Sequence, residues 1–356
     1  MATSGGAGES GTGGRPLNIL ISGGAGFIGS HLADLLLARG DVVTVIDDLS
    51  TGRRDNLPER HERLRFIEAD LAGALRVLGP GEKFDQIYHL AAAVGVQLVM
   101  EDPIHTIETN VDLTSAVLHF ARDRARPDCP KGIPTLVAST SEVYGKGTKV
   151  PFSEEDDVLY GPTTKSRWSY AYSKAIDEHM VLAYHRQHEF PGVVARFFNT
   201  VGPRQVGTWG MVIPRFVEAA MAGRDIEVFG DGKQSRCFCH VHDVARVLPK
   251  LIETRACHGR VFNVGTDQSV SIVDLAQMVV RITGSKSRIV FKPYDQAYPA
   301  GFEDLRERRP DLSRIAQAVG FKPTIPLEQT IRDAMATLAQ QASNDRARDA
   351  GGGARA

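Results

Sequence analysis

The sequence predicts an α/β fold, a doubly wound parallel sheet followed by a smaller C-terminal lobe, and three observations predict it. Short apolar runs alternate with amphipathic stretches over residues 17–198. Strands and helices alternating at that rhythm make a parallel sheet covered on both faces. A Gly-rich string, Gly23-Gly24-Ala25-Gly26-Phe27-Ile28-Gly29, falls between the first apolar run and the first amphipathic stretch. After Asn199 the texture shifts to shorter elements punctuated by Gly, Pro and polar residues, through about residue 300. That suits a lobe folded over the carboxyl ends of the sheet, where open sheets bind ligands.

Element by element, 17–22 (LNILIS) is the first buried strand and 27–39 shows helical spacing. Strands follow at 42–46, 64–67, 86–90 and 135–139, with a long amphipathic helix over 106–124 between the last two. Another helix covers 168–188, a strand 193–198, and a final helix 327–340. The expected division is a dinucleotide-binding domain over 16–200, completed by later segments including 240–266, and a substrate-binding lobe over 201–340. The Gly/Ser/Thr-rich 1–15 reads as a disordered leader without signal-peptide character, and 341–356 as a disordered tail.

A formal net charge of -1 gives no basic surface for nucleic acid and no membrane-seeking face. No apolar run reaches spanning length. Cys129, Cys237, Cys239 and Cys257 are too few and too irregular for a disulfide scaffold or a metal site. Reduced thiols in a cytoplasmic protein are the reading they support.

Gly23, Gly26 and Gly29 have the Gly-x-x-Gly-x-x-Gly spacing. Glycines there allow a tight turn and let backbone N–H groups approach a pyrophosphate at a helix N-terminus. The string follows a strand, opens a helix and precedes an acid, Asp47, at the end of the next strand. This is the Rossmann-type context that gives the motif its meaning. A carboxylate at Asp47 suits the ribose hydroxyls of NAD and repels a 2′-phosphate, so NAD is expected over NADP. Arg53 and Arg54 read as solvated loop charges. Asp70 is either an adenine contact or a helix cap.

Tyr170 and Lys174 stand at i and i+4, on one face of a helix. Upstream, a strand ends in Ser139-Thr140-Ser141. A phenol with an ordinary pKa near ~10 needs a neighbouring cation to act as a base near neutral pH. Thr140 or Ser141 can hold a substrate hydroxyl while Tyr170 takes its proton. Tyr172 faces away and reads as packing.

Together these elements resemble the extended short-chain dehydrogenase/reductase family, in its branch of nucleotide-sugar epimerases, dehydratases and decarboxylases. The resemblance covers about 17–327. It is carried by GGAGFIG, Asp47, His89-Leu90-Ala91-Ala92, STSEVYG at 139–145, YAYSK at 170–174, RFFNTVGPRQ at 196–205, FGDGKQSRCF at 229–238 and RRPD at 308–311. It implies a cofactor site that includes Phe27, Ile28, Asp70, Leu71, Leu90, Ala91, Ala92, Tyr170 and Lys174. It further implies that Asn199 binds the sugar or diphosphate, that Arg236 and Arg309 clamp the diphosphate, and that Val212 lies beside the nucleotide base. Asp243 reads as a helix N-cap. The helices over 106–124 and 168–188 correspond to those that pair such enzymes into homodimers. The implied substrate is a UDP-sugar or a related nucleotide sugar.

Three reactions of that branch share oxidation at C4. Ser141 stands where a dehydratase carries Asp, so dehydration is disfavoured. Glu142 matches the decarboxylase pattern, whereas 4-epimerases more often have a small residue there. The stretch 89–97 lacks the Pro-Ala-Ser-Pro of UDP-glucuronate decarboxylases, and the VIPRF and HVHD segments resemble those of 4-epimerases. The favoured reading is a UDP-hexose or UDP-hexuronate 4-epimerase acting through a 4-keto intermediate. UDP-glucuronate decarboxylase is the alternative, and a non-catalytic NAD-binding regulator a further one. Glu142 is a catalytic candidate with Thr140, Ser141, Tyr170 and Lys174, or a carboxylate that organises the pocket.

Overall fold

The structure, a computed structural model, describes residues 15–79, 81–94, 99, 101–205, 211–293 and 306–352. Most of the expected leader, 95–97 of the stretch after the fourth strand, and the end of the expected tail lie outside them.

The first half builds β1 (Asn18–Ser22), β2 (Val42–Asp47), β3 (Leu64–Glu68), β4 (Gln86–His89), β5 (Thr135–Thr140) and β6 (Gly192–Phe197). The second half adds β7 (Thr200–Val201), β8 (Ile226–Phe229), β9 (Ser235–Cys237), β10 (Cys239–His240) and β11 (Arg260–Val264). It closes with β12 (Ser269–Ser271), β13 (Ile289–Lys292) and β14 (Glu307–Arg308). The main sheet has seven strands in the order β11-β6-β5-β4-β1-β2-β3. Each pair within it is parallel.

Parallel strands covered on both faces must be apolar on both. Ile19, Leu20 and Ile21 of β1, all essentially without exposure, meet that requirement. One face is covered by the helices Phe27–Arg39 and Val241–Glu253, the other by Leu71–Val77, Pro103–Asp123 and Ser169–His188. The strand order reverses between β1 and β4, so their carboxyl ends diverge and leave a crevice between them. A separate core unites Val212–Met221, Ile272–Thr283 and the start of Leu327–Gly352 above that crevice. Among the described residues no helix is long and apolar enough to cross a membrane.

Several boundaries differ from the sequence expectation for identifiable reasons. The helix expected from 106 starts at Pro103, because Asp102 caps it by accepting from His105 N at 3.0 Å and proline suits the first turn. The last helix runs on to Gly352 where a disordered tail was expected from 341. The segment up to 350 has no Gly or Pro to stop it. Asp243 is not the N-cap of its helix. His240 occupies that position, its Nδ1 accepting from His242 N at 3.1 Å. Asp243, within the first turn and fully buried, accepts instead from Thr324 N at 2.8 Å and Ile325 N at 2.9 Å. It thereby fastens the C-terminal segment to the sheet domain.

Replacing Asp243 by Ala strands two backbone donors, which costs about 1–3 kcal/mol each when buried. Urea unfolding is expected to show a loss of about 2–4 kcal/mol in stability. An unchanged midpoint would mean that water takes over both bonds.

Candidate active site

The crevice is one continuous cleft of about 1040 Å³, ample for two nucleotide-sized molecules end to end. Its floor is the glycine string. Gly23 adopts φ +71°, and a Cβ there would lie 2.6 Å from Ala91 N. A Cβ on Gly29 would lie 2.2 Å from Gly23 O. Side chains are excluded because strand, turn and helix are packed backbone to backbone. Gly26 caps the helix Phe27–Arg39 without a side-chain acceptor. The N–H groups of the first turn, which no helix satisfies internally, therefore open into the cleft beside Phe27, Ile28 and Gly29. This is a ready cradle for a pyrophosphate.

Asp47 ends β2 at the rim of that cradle. Its Oδ2 accepts from Ala25 N and its Oδ1 from Leu49 N, both at 2.9 Å. Burial pushes this carboxyl up and the two backbone donors pull it back. Asp70 caps the helix Leu71–Val77, accepting from Gly73 N at 2.7 Å, and lines the cleft as well. Leu71, Leu90, Ala91 and Ala92 complete this end. The donor set and its fixed acid fit a dinucleotide.

At the far end of β5, Thr140 meets the helix Ser169–His188. Thr140 hydrogen-bonds the Tyr170 hydroxyl, which burial and then the charge of Glu142 push above its ordinary range. Lys174, one turn on, is buried and lines the same wall. Tyr172 packs on Tyr160, ring centroids 4.4 Å apart.

Glu142 sits in the short turn Ser141–Tyr144 that follows β5. Arg167 Nη1 donates to its Oε2 at 2.5 Å and Arg308 Nη1 to its Oε1 at 2.7 Å. Burial alone would raise this carboxyl, but Arg308 and Arg167 outweigh it and hold it well below the usual carboxylate range. Ser141, Asn199, Val212 and Arg236 line the cleft as well.

Arg309 does not line it. Cα partners on paired strands share a face, and the register sets Arg308 against Arg236. Arg308 thus points into the cleft beside Arg236. Arg309, one residue on, turns to the other side and approaches Glu307 at 3.3 Å. Where the sequence reading placed Arg309 on the cleft, the structure places its neighbour Arg308, since a one-residue slip flips the face. The sequence reading also missed Arg167, Arg204 and Arg215, all on the cleft wall. Arg167 stands three residues before Tyr170, the one sequence signal that might have marked it.

Five arginines line the cleft: Arg167 and Arg308 hold Glu142, Arg236 stands beside Arg308, and Arg204, paired with Asp34 of the helix Phe27–Arg39, and Arg215 lie elsewhere on the wall. Asp47, Asp48, Asp70, Glu108 and Asp112 line it as well. Residues 19–265 match the NAD dependent epimerase/dehydratase family. The chain belongs to that family. Its cofactor is NAD, and it is a nucleotide-sugar enzyme of the epimerase/decarboxylase kind.

UDP-N-acetyl-alpha-D-glucosaminuronate decarboxylase of Bacillus cytotoxicus is 40% identical over 315 residues, 88% of this chain and 95% of that one. UDP-glucuronic acid decarboxylase 1 of Xenopus tropicalis is 36% identical, covering 92% of this chain and 74% of that one. Among solved structures, the UDP-glucuronic acid 4-epimerase of Bacillus cereus, in complex with UDP-glucuronic acid and NAD, superposes with a TM-score of 0.77 at 26% identity. That match covers 91% of this chain and all of the other.

Two outcomes test the site. Asp47→Ala is expected to weaken NAD binding by roughly ten- to a hundredfold, as loss of hydrogen bonds to a charged acceptor does; calorimetry measures it, and unchanged affinity refutes the role. Arg308→Ala is expected to lower kcat/KM on a nucleotide sugar by about a hundredfold or more through loss of a buried ionic partner, and Arg309→Ala by only a few-fold. The reverse order would restore Arg309 to the cleft.

Proposed function

We propose that the protein is an NAD-dependent decarboxylase of UDP-hexuronates that returns a UDP-pentose. The observation that carries this is Glu142 held between Arg167 and Arg308 on the cleft wall, with Arg236 beside Arg308. A diphosphate and a uronate carboxylate together bring three negative charges, and guanidinium groups in fork geometry suit both. The 4-epimerase favoured on sequence gives way to the alternative, because the curated relatives with the higher identity act as decarboxylases. The 2-acetamido uronate named for the Bacillus relative is the substrate to try first.

In this reading Thr140 orients the C4 hydroxyl and Tyr170 takes its proton, with Lys174 supplying the positive charge that lowers the phenol. NAD, when bound, accepts the C4 hydride and later gives it back. The C5 carboxylate then stands β to a ketone. The C5–C6 bond breaks, CO2 leaves, and its bonding electrons pass into an enolate whose oxygen Thr140 and Tyr170 hold. A proton from water reaches C5 before the hydride returns to C4. Glu142, kept ionised, does not serve as the proton carrier; it sets Arg167 and Arg308 against the sugar. The exposed Ile104, Ile107 and Ile176 on the two long helices support a homodimer.

Incubation with UDP-N-acetylglucosaminuronate or UDP-glucuronate, followed by mass and NMR analysis, is expected to give a product lighter by CO2. Tyr170→Phe is expected to lower that turnover by about 10²–10⁴-fold. An isomer of unchanged mass would return the reaction to 4-epimerisation.

A further inference from the structure

Behind Tyr170 and Lys174 lies a buried polar cluster that the mechanism above leaves unused. Lys174 Nζ donates to Asp177 Oδ2 at 2.6 Å, three residues along the same helix, and neither side chain is more than 2% exposed. Asp177 does not line the cleft. Thr114, from the helix Pro103–Asp123, steadies its charge and also bonds His89 Nε2 at 3.2 Å. His89 Nδ1 in turn bonds Ser22 Oγ at 2.7 Å.

The charges near this pair can be named. Glu142 faces Tyr170 from the turn after β5. Glu178 faces Asp177 and is itself bound to Arg196 of β6, at 2.9 Å and 2.6 Å. Burial, with Lys174 second, brings His89 down to about 3, so it contributes no charge near neutrality. Burial pushes the Asp177 carboxyl up, and Lys174 draws it back. An ammonium out of water needs a counter-ion, yet buried pairs are often no more stabilising than apolar replacements. The pair therefore calls for a reason beyond stability.

We propose that Asp177 is a positioning residue for the reaction: it fixes the Lys174 ammonium on the active face of the helix. By cancelling part of that charge it also sets the pH at which Tyr170 works as a base. The inference rests on the roles proposed for Tyr170 and Lys174. Its sign follows from Coulomb interactions. With Asp177 neutral, Tyr170 loses a nearby anion and ionises more easily, so the acid limb of the rate profile moves to lower pH. Lys174 loses the counter-ion that holds it on the active face.

Asp177→Asn keeps size and shape. The acid limb of its kcat/KM profile is expected to move toward acid by roughly one pH unit. The tyrosinate absorbance of Tyr170, taken as the difference from the same protein carrying Tyr170→Phe, is expected to titrate correspondingly lower, with and without NAD. Asp177→Glu keeps the charge on a longer arm, so its acid limb should stay while kcat falls several-fold. An acid limb and tyrosinate titration unmoved in Asp177→Asn would overturn the proposal, even with a lower plateau. If that variant does not fold, a displaced acid limb in Asp177→Glu would overturn it alone. A Tyr170→Phe enzyme that keeps wild-type turnover would instead sink the underlying reading of the site.

Discussion

A carboxylate can be buried in the cleft at Glu142 only because two guanidinium groups meet it there, and much of the architecture serves that meeting. Arg167 approaches across 25 residues of sequence and Arg308 across 166. One comes from the turn that launches the helix Ser169–His188, the other from a two-residue strand of the C-terminal lobe. Removing either would leave one carboxylate oxygen without its charged donor in a place water reaches poorly, and removing Glu142 would leave two like charges facing each other. The junction is therefore also a clasp between the lobe and the sheet domain. It joins the end of β5, the approach to Tyr170 and the strand pair β9–β14 at one point. A depressed carboxyl contributes stability above its unfolded pKa and loses it only as pH falls through the folded value. Glu142 lies well below the usual range, so the clasp stays closed through neutrality and opens only in strong acid.

The same logic explains what was legible in the sequence. The sheet, the glycine string and Asp47 were readable because each rests on neighbours within a few residues: an apolar run, a turn, a helix start. That Tyr170 and Lys174 both line the cleft was readable because a helix puts i and i+4 on one face. Arg308 was not, since choosing between adjacent arginines requires the strand register, and that is fixed by pairing with Ser235 and Arg236 far upstream. Asp243 failed for a related reason. Its place in the first turn of a helix invites the capping assignment, while its partners at Thr324 and Ile325 come from a distant segment. The far end of Leu327–Gly352 was misjudged on composition, where a polar run without breakers is equally compatible with a helix.

The division of labour in the cleft follows from where charge is fixed and where it can change. Glu142 is pinned from both oxygens, so across working pH it behaves as a permanent anion that aims two cations. Tyr170 faces that anion one turn before Lys174 on the same helix, and burial already disfavours its ionised form. Whatever adjusts the net charge around the phenol therefore adjusts the reaction. Asp177 is the neighbour best placed to do so, being in contact with Lys174 and out of reach of the substrate.

An epimerase and a decarboxylase need the same first step and the same returning hydride, which is why one scaffold accommodates both. They differ in what the 4-keto sugar does meanwhile. Epimerisation requires the ketose to turn over, so strong anchoring near C5 works against it. Decarboxylation needs no turning, only that the carboxylate be held at an angle letting its bond electrons enter the ketone. A site that clamps its own Glu142 with two arginines, and sets Arg236 beside one of them, favours holding over turning. The cleft chemistry and the decarboxylase relatives thus favour the same reaction from separate grounds.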